Sequence, residues 1–509
     1  MKKSLLLFLF ILIVSCRNDD TINDNETINQ NQIELKTNNP SFISQIQVDF
    51  EGEIIKTNDE EIVYYGMLIG KNENLTIDLN EGNQTKEYVT GDRIFKGSFY
   101  DLTGDKKYYL KFYVKTKNKI YYGNTVSFIS EKHTSPSEQR IYLNTQQQVD
   151  DLGKNNYTYV YELNIGGSVE DLSPLRSIIK IGGNLNIEYT SKLTSLHGLE
   201  NLQLIGTDQF PNGQLQIYNN TKLSTLSGLD KLMFTGKLYV GYNPLVKNLQ
   251  GLGNLEQAWH RTYLTVPSFD GLPLNFRTGE FTSIGFEGTD LGNRTINCEA
   301  YDFTLKDAPN ITSLKGFTIG NYQNTTIFTL ENCKNLRTLE GINFSTNKYD
   351  HIQIINCENI ENLKGFENIN TINFFTVKNS PKLNSLNGLN NLRKVEYSFA
   401  LENVSIPNLM ELKNIQMIKS LHLLKCNNLK NLTGVGNTSI NYFELAGCNL
   451  INSLEGFENI SNLERIFIVN NNSLQNYCAL KSSIGSIIHF EIYGNLLNPT
   501  KLQIINNCP

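Results

Sequence analysis

The chain has 509 residues, of which 39% are hydrophobic and 19% charged, with a formal net charge of −6 and a pI near 5.7. An acidic chain without a basic stripe has no surface that could replace phosphate counterions, so a nucleic-acid partner is excluded from the expected functions. The length is too great for one compact core and requires at least two domains or an elongated array.

The first residues have the features of a secretory leader. Two lysines near the start precede an apolar run from Leu5 to Val14, which is too short to span a bilayer, and Cys16 follows closely. This pattern resembles the lipobox of bacterial lipoproteins. The resemblance implies removal of residues 1–15 as a signal peptide, lipidation of Cys16 and attachment to the membrane through the lipid. An ordinary secretory signal with a chance cysteine is the alternative.

The segment after Cys16 predicts a tether on the cell surface. Residues 16–36 are polar and nearly free of large apolar side chains, so they are predicted to be disordered. The acidic stretch at Arg17 to Asp20 resembles the signal that sends some Bacteroidetes lipoproteins to the outer face of the outer membrane. We therefore expect a lipid-anchored protein that faces the cell surface.

A small all-β domain is predicted over residues 37–131. Apolar and polar side chains alternate between turn signals, most clearly from Tyr108 to Val114, and such short strands favour a β-sandwich. Leu102, six residues before Tyr108, resembles the pattern of fibronectin type III and other immunoglobulin-like domains. In fibronectin domains the tyrosine at this place packs at a strand corner. The resemblance implies a spacer between the membrane and the next domain.

A short phrase, Leu-x-Gly-Leu or Leu-x-Gly-Phe, recurs along the rest of the chain. Successive glycines at Gly316, Gly341, Gly365 and Gly388 are 25, 24 and 23 residues apart, which is the spacing of leucine-rich repeats. Between the phrases, apolar residues two apart predict a strand with one buried face. Residues 135–509 are therefore predicted to form a leucine-rich-repeat β-solenoid, with a C-terminal cap from about residue 472.

Two positions within each coil are predicted to have structural roles. The phrase glycine is expected where the turn needs a positive φ or a close approach between coils. A small polar residue is expected to bond turn backbone groups that would otherwise be buried without partners. The residues at that polar position are Thr190, Asn220, Asn243, Cys333, Cys357, Ser380, Cys426, Cys448 and Asn471.

The repeat units lack the long helical stretch of many leucine-rich repeats and are rich in Asn, Thr and Ile. The segments 179–187 and 472–478 resemble receptor L domains, the ligand-binding modules of the insulin and epidermal growth factor receptors. The number of repeats exceeds that of one such domain. Leucine-rich surface proteins of the Bacteroidetes are the closer resemblance, and they imply adhesion or recognition.

Six of the eight cysteines divide into two groups, apart from Cys16 and from Cys298, which has no obvious partner in the sequence. Cys478 and Cys508 both lie in the atypical last unit, where we predict a disulfide that closes the cap, with free thiols as the alternative. The other group occupies the polar position of neighbouring coils, as Cys333 with Cys357 and Cys426 with Cys448. These pairs are close enough for disulfides or are simply small residues in a buried slot. A linear column does not converge on a metal ion, so no metal site is expected.

The sequence contains none of the strong catalytic motifs. There is no Gly-rich phosphate loop, no His-Glu-x-x-His and no calcium-binding loop, and the six histidines are scattered. We therefore expect neither an enzyme nor a bound cofactor. A solenoid enzyme acting on glycosides is the least favoured function, because it would need two acidic residues that stand out from the others.

Recognition is expected on the outward positions of the strands, where exposed apolar and aromatic groups favour a protein or glycan contact. The candidates are Gln216, Tyr218, Tyr239, Gln353, Ile355, Thr376, His422, Leu424, Phe467, Val469 and Tyr493. Trp259 is a further candidate, because the phrase fails between Glu256 and Cys298, a segment that is either a functional interruption or a set of decayed coils.

The predicted function is non-catalytic recognition of a macromolecule at the cell surface, by adhesion or by binding a protein. The alternative is a glycan-binding lipoprotein of a nutrient-uptake system. That alternative would use Tyr218, Tyr239 and Trp259 as platforms that stack on sugar rings.

Overall fold

The computed structural model describes residues 33–57, 60–77, 83–84, 87–88, 93–100, 102–137, 139–206, 213–298, 302–320 and 326–508. The predicted leader, the lipidation site Cys16 and nearly all of the tether lie outside these residues. The chain divides into two compact units, Met1–Glu131 and Lys132–Pro509, and each is described by itself. The architecture is mostly β, as the sequence predicts.

The first unit consists of two antiparallel sheets. Its strands are β1 Glu34–Thr37, β2 Phe42–Ile43, β3 Gln47–Lys56, β4 Ile62–Gly70, β5 Asn83–Gln84, β6 Glu87–Tyr88, β7 Ile94–Tyr100, β8 Lys107–Thr116 and β9 Ile120–Ile129. In one sheet β3 pairs with β1, β2 and β7; in the other β4 pairs with β5, β6 and β8, and β8 pairs with β9. Strand structure begins at Glu34, slightly before the predicted boundary at residue 37.

The two sheets share one apolar core, and β8 shows why. Alternate residues of β8 are buried in the core together with residues of β3, β4 and β7. These residues of β8 are Tyr108, Leu110, Phe112 and Val114. The Tyr108 hydroxyl accepts a hydrogen bond of 2.8 Å from the backbone N–H of Thr103, next to the buried Leu102. On the opposite face of β8, Tyr113 is buried against Leu68 and Leu75.

The second unit is a β-solenoid of about 15 turns in its described part. Its strands are β10 Arg140–Leu143, β11 Tyr159–Val160, β12 Glu162–Ile165, β13 Lys180–Ile181, β14 Leu185–Glu188, β15 Leu204–Ile205, β16 Gln214–Tyr218, β17 Phe234–Gly241, β18 Gln257–Leu264, β19 Asn275–Ile284, β20 Thr295–Cys298, β21 Asp302–Lys306, β22 Phe317–Ile319, β23 Ile327–Glu331, β24 Asn343–Phe344, β25 Lys348–Ile355, β26 Thr371–Ser380, β27 Lys394–Val404, β28 Met417–Leu424, β29 Ser439–Ala446, β30 Arg465–Val469 and β31 His489–Tyr493.

Helices are few and short in this unit. Helix α1, Gln146–Gly153, begins at a capping box formed by Thr145 and Gln148, and helix α2 spans Lys501–Asn507. Three 3₁₀ segments occupy Ser173–Leu175, Met410–Leu412 and Cys478–Ser483. Among the described residues, no helix is long and apolar enough to cross a membrane.

Parallel pairing in register stacks equivalent residues of successive coils. In β16 and β17, for example, Leu215 pairs with Leu238 and Ile217 with Val240, and all four side chains are buried. The same long ladder runs from β10 through β12, β14, β16 and β17 to β31. The apolar alternation that the repeats show in sequence therefore becomes one continuous core with one outward sheet face.

The segment from Glu256 to Cys298 continues the solenoid instead of interrupting it. Strands β18 and β19 pair in register with each other and with their neighbours. Phe276 and Phe281 are fully buried, Phe281 in register with Phe303 of the next coil, and the buried Thr262 hydroxyl bonds that of Thr278 at 2.9 Å. The phrase fails here because the coils are filled by different side chains.

The phrase glycine has both of its predicted roles. Gly388 has φ 115°, and a Cβ built there would lie 1.9 Å from the carbonyl oxygen of Leu363 in the preceding coil. Gly228 and Gly434 show the same combination, with φ of 114° and 122°. A side chain is therefore excluded both by the backbone conformation and by the close approach of the preceding coil.

The buried polar position also has its predicted role. The Asn220 side chain donates to the carbonyl of Ile187 at 2.8 Å and accepts from the backbone N–H of Thr190 at 3.1 Å. Asn471 repeats this arrangement, donating to the carbonyl of Leu445 at 3.0 Å and accepting from the N–H of Cys448 at 2.8 Å. These amides bond turn groups that are buried between coils.

The cysteines are found in two states. Cys478 and Cys508 form a disulfide with a Cα–Cα distance of 5.2 Å, which ties the residue after α2 to the last 3₁₀ segment. The cysteines of the polar position are buried free thiols, namely Cys333, Cys357, Cys426 and Cys448. Cys298 is a fifth buried free thiol.

Candidate recognition face

The outward side of the long ladder presents two columns of side chains. The first outward column is the set of residues in register with Gln216 and Tyr239, and the second outward column is the set in register with Glu188 and Tyr218. Every residue of the sequence-predicted face except Trp259 belongs to one of these columns. The first contains Gln216, Tyr239, Gln353, Thr376, His422 and Phe467, and the second contains Tyr218, Ile355, Leu424, Val469 and Tyr493.

Val469 does not contribute to the exposed face. Its side chain is only 4% exposed, although the register places it in the second outward column between Ala446 and Tyr493. The rings of Phe467 and Tyr493 meet at 5.9 Å beside it, so two larger side chains shield the shorter one. Its prediction as a binding residue is wrong for this reason.

Five tyrosines form one surface cluster at the N-terminal end of the face, which we call the tyrosine patch. Its members are Tyr189, Tyr218, Tyr239, Tyr242 and Tyr263. Tyr218 is central, with ring centroids 5.6, 5.8 and 5.3 Å from Tyr189, Tyr239 and Tyr242, and Tyr239 stacks on Tyr263 at 4.5 Å. Tyr189 and Tyr242 are 59% and 56% exposed, so the patch presents open aromatic area to solvent.

Three phenols of the patch have a raised pKa. Burial and then the proximity of Tyr189 raise the pKa of Tyr218 above its ordinary value. Burial and the neighbouring hydroxyl of Tyr242 raise the pKa of Tyr263, and burial beside Tyr218 raises that of Tyr239. These three phenols are therefore uncharged at neutral pH, and their rings keep the electron-rich faces of neutral phenols.

Two tyrosines of the patch occupy a position that favours other residues. The residue after the second outward column turns the chain with a positive φ, and we call this the corner position. Asparagine, the residue that best tolerates this conformation after glycine, is the commonest corner residue, as at Asn219, Asn332, Asn356, Asn379, Asn403 and Asn470. Tyr189 and Tyr242 have φ of 53° and 56° at the same position, on either side of the coil of Asn219.

Four corner asparagines, Asn332, Asn356, Asn379 and Asn403, form a half-buried amide ladder further along the solenoid. The side-chain amide of Asn356 donates to Asn332 at 2.9 Å, and that of Asn379 donates to Asn356 at 3.0 Å. A shallow groove follows this ladder, lined by Asn332, Lys334, Asn356, Glu358, Asn379, Pro381 and Asn403. The polar groups of this groove largely bond one another, and Lys334 pairs with Glu358 at 3.2 Å. We therefore assign the ladder a structural role.

Trp259 lies apart from the tyrosine ring contacts. It is 53% exposed and sits in a bulge of β18, where Ala258 pairs with Thr235 and Arg261 with Lys237. Because the extra residues of the bulge are left out of the pairing, Trp259 belongs to neither outward column. The register of the strands therefore does not place Trp259 in a column with Tyr218 or Tyr239, as the predicted aromatic platform would require.

A second aromatic surface, which we call the aromatic row, lies further along the sheet. His351 stacks on Phe374 at 4.6 Å, and Phe374 stacks on Tyr397 at 4.9 Å. The Lys419 ammonium lies 5.5 Å from the ring centroid of Tyr397, so the chain itself supplies a cation to this row. At its other end His351 bonds Asp350 at 2.8 Å.

The middle of the face is polar and electrically balanced. Along the second outward column Lys306 pairs with Glu331 at 2.9 Å and Lys378 with Glu402 at 2.8 Å. The first outward column places His422 at 2.7 Å from Glu444 in the next coil. Since these lysines and glutamates are paired, this part of the second outward column presents little unpaired charge to a partner.

Sequence reasoning found Tyr218 and Tyr239 but missed Tyr189, Tyr242 and Tyr263. One signal was available, because Tyr189 and Tyr242 come directly before the polar position that Thr190 and Asn243 occupy. Tyr263 follows Tyr239 by one coil in the first outward column. The aromatic row was missed because its members lie at the start of strands whose bulges shift the spacing.

Comparison with known proteins supports the assignment of the solenoid. Residues 151–254 match the model of the Receptor L domain family. This segment includes four of the five tyrosines of the patch, Tyr189, Tyr218, Tyr239 and Tyr242. No curated protein matches the chain at a significant level.

Two solved structures share local similarity with the chain. One is the sensor domain of the anti-sigma factor RsgI4 in Pseudobacteroides cellulosolvens, with 14% identity and a TM-score of 0.16, covering 20% of this chain and 95% of that one. A solution structure of the same sensor domain has 13% identity and a TM-score of 0.16, covering 20% and 76%. At this level of likeness neither structure carries a functional argument.

The described residues contain no group of three or more His, Cys, Asp or Glu side chains placed to hold a metal ion.

Proposed function

We propose that the chain is a non-catalytic recognition protein, anchored to the bacterial outer membrane by a lipid on Cys16, that binds a protein partner through the tyrosine patch. In this proposal the two-sheet first unit is a fibronectin-like spacer. The solenoid presents its sheet face to the cell surroundings. The fold and the Receptor L domain match at residues 151–254 support a role in protein recognition.

The tyrosine patch is the observation that carries the proposal. Tyrosine is enriched at the centres of protein interfaces, where its ring supplies contact area and its hydroxyl a hydrogen bond. The patch combines two tyrosines that are more than half exposed with neighbours that hold them in place, and it lies mostly within the matched segment. The balanced charges of the middle of the face offer no comparable anchor.

The packing within the patch favours a protein over a sugar. A pyranose ring binds to the open face of an aromatic ring, whereas Tyr239 and Tyr263 use one face of each ring on each other at an interplanar angle of 4°. Tyr218 is likewise surrounded by three other rings. Tyr218, Tyr239 and Tyr263 thus present mainly edges and hydroxyl groups, which suit the mixed surface of a protein, and the open ring area of the patch belongs to Tyr189 and Tyr242.

Cells that display the full chain test the proposal. We expect them to capture a defined protein from the medium or from neighbouring cells, and the double variant Tyr189→Ala/Tyr242→Ala to lose most of this capture. The variant Tyr142→Ala, which removes an exposed tyrosine that belongs to neither the patch nor the aromatic row, is the matched control. Binding on a glycan array that the double variant abolishes, without protein capture, would favour the glycan-uptake alternative.

The anchor and the absence of catalysis have separate tests. Metabolic labelling with a fatty-acid analogue should mark the chain, and Cys16→Ser should abolish the label and release the protein from the membrane. Incubation with bacterial and host polysaccharides should release no reducing sugar. Sugar release that survives repurification would contradict the non-catalytic part of the proposal.

A further inference from the structure

The rings of the tyrosine patch, like those of the exposed Tyr142 and Tyr493, have no lysine over them in the described part of the chain. At five other tyrosines the chain places a lysine over the ring: Lys71 over Tyr108, Lys107 over Tyr109, Lys119 over Tyr121, Lys111 over Tyr122 and Lys419 over Tyr397, at 4.9 to 5.7 Å from the centroid. Within the described part of the chain, no lysine or arginine occupies such a position over the five tyrosines of the patch.

An acidic side chain lies beside the central ring of the patch. Glu188 is the register neighbour of Tyr218 in the second outward column, and its carboxylate accepts a hydrogen bond from the side-chain amide of Gln216. Among the described residues Glu188 forms no ion pair, whereas the glutamates of the middle of the face are paired with lysines. A neutral amide leaves the negative charge of Glu188 uncompensated.

The placement of Tyr189 and Tyr242 has an energetic cost that packing alone does not explain. Both have positive φ at the corner position, where a bulky side chain is disfavoured and asparagine is the usual residue. Both rings remain more than half exposed, so little apolar burial offsets that cost. Backbone strain of this kind at an exposed aromatic side chain is typical of a binding surface.

We infer that the tyrosine patch binds a cationic side chain, lysine or arginine, of its protein partner, with the ring faces of Tyr189 and Tyr242 and the carboxylate of Glu188 as the receiving groups. This inference rests on the proposed function and deepens it by naming the chemistry of the partner. Neutral phenol rings attract a cation through their quadrupole, and an unpaired carboxylate adds a direct charge. The partner's cation takes the place that the chain's own lysines take at five other tyrosines.

Binding of simple peptides to the purified full chain tests the inference. The probe is a flexible peptide in which lysine alternates with glycine, compared with peptides of equal length that have glutamine or glutamate instead of lysine. We expect the lysine peptide to bind, the other two not to bind, and salt to weaken the binding. Tyr189→Ala and Tyr242→Ala should each weaken it roughly 2- to 5-fold, the effect of removing one exposed cation–π contact.

Two controls separate this binding from the attraction of any basic peptide to an acidic protein. Tyr189→Ala leaves the net charge of the protein unchanged. A loss of binding in this variant is therefore due to the missing aromatic ring and not to a change in the overall electrostatic attraction. Glu188→Gln should also weaken binding, whereas Tyr142→Ala should leave it unaltered. Equal binding of the lysine and glutamine peptides, or lysine-peptide binding that survives Tyr189→Ala and Tyr242→Ala, would overturn the inference.

Failure of this inference can be distinguished from failure of the proposed function. If displayed cells capture a protein through the patch while the lysine peptide binds no better than the glutamine peptide, recognition stands and the cationic chemistry is wrong. If the double variant leaves protein capture unchanged, the patch is not the binding site and both proposals fail.

Discussion

The carbonyl oxygen of Leu363 occupies the space that a side chain at Gly388 would need, since a Cβ on Gly388 would lie only 1.9 Å from it. The two residues lie in neighbouring coils at the same turn of the repeat. The contact fixes how closely successive coils stack. It also explains why the recurrent phrase keeps its glycine while the residues around it vary.

Substitution of Gly388 by alanine should destabilise the solenoid strongly. The Cβ would clash with backbone that cannot rotate away, and φ of 115° is disfavoured for any side chain. We expect a loss of several kcal/mol, at the upper end of single substitutions, about 3 kcal/mol or more. Thermal unfolding of the purified chain measures it. Gly485→Ala is the matched control, because nothing lies within 4 Å of its Cβ position; equal unfolding midpoints of the two variants would contradict the assigned role.

Asn471→Ala should destabilise the C-terminal coils. The amide donates to Leu445 and to Asn495, at 3.0 and 2.8 Å, and accepts from Cys448, so its removal leaves three buried polar groups without that partner. At about 1–3 kcal/mol for each buried unpaired group, we expect a loss of roughly 2 kcal/mol or more.

Chemical denaturation measures the cost of Asn471→Ala against Asn472→Ala, which alters the exposed asparagine that follows directly in the chain. The exposed variant should differ little from the unsubstituted protein. A similar loss in both variants would mean that the buried amide is not a specific support of the turn.

The buried phenol of Tyr349 should make the solenoid sensitive to alkali. Burial raises the pKa of Tyr349 well above its ordinary value, and its hydroxyl donates to the carbonyl of Ile319 at 3.0 Å. An unfolded tyrosine ionises near pH 10. The raised pKa therefore contributes stability that is fully present below about pH 10 and is lost as the pH rises further.

Tyr349→Phe tests this pH dependence. At neutral pH the variant should lose about 1 kcal/mol with the hydrogen bond, whereas above about pH 10 its stability should fall less steeply than that of the unsubstituted chain. Unfolding midpoints measured across this pH range give both effects. Tyr142→Phe, at an exposed tyrosine, should change neither; parallel curves for Tyr349→Phe and the unsubstituted chain would contradict the prediction.

Reduction of the Cys478–Cys508 disulfide should loosen the end of the solenoid. The bond closes a loop across a sequence separation of 30 residues, for which chain entropy gives at most about 3–4 kcal/mol. We expect faster amide exchange in α2 and a lower unfolding midpoint with reductant. The variant Cys478→Ser/Cys508→Ser should show no response to reductant, and an unchanged midpoint of the unsubstituted chain would show that the bond does not stabilise the end.

The repeat was read correctly from sequence because its determinants are local. The inward residues, the glycine and the polar position of each coil all lie within a segment of about 25 residues. Gly388 and Asn471 make the contacts expected of these positions. The segment from Glu256 to Cys298 was harder, since its large buried residues include Phe269, Phe276 and Phe281, and Phe269 takes the place of the phrase leucine before Gly271. Only packing shows that these larger side chains fill the same core.

The recognition face was predicted only in part for a different reason. Alternation along a strand identifies outward positions, but it does not reveal the size of the neighbouring side chains. Val469 was therefore expected to be exposed, although it is buried beside the larger Phe467 and Tyr493. Nor does alternation reveal a bulge, which removes Trp259 from both outward columns.

By itself the sequence determined an all-β chain whose larger part is a β-solenoid, and it determined which residues face inward, because period, alternation and the needs of a tight turn are properties of short segments. The tertiary structure alone decided which outward residues meet. Tyr189, Tyr218 and Tyr242 belong to three successive coils and become neighbours only when parallel pairing sets the register between them. A surface that binds a partner is a property of that stacking, since its members are far apart along the chain and close only across the ladder.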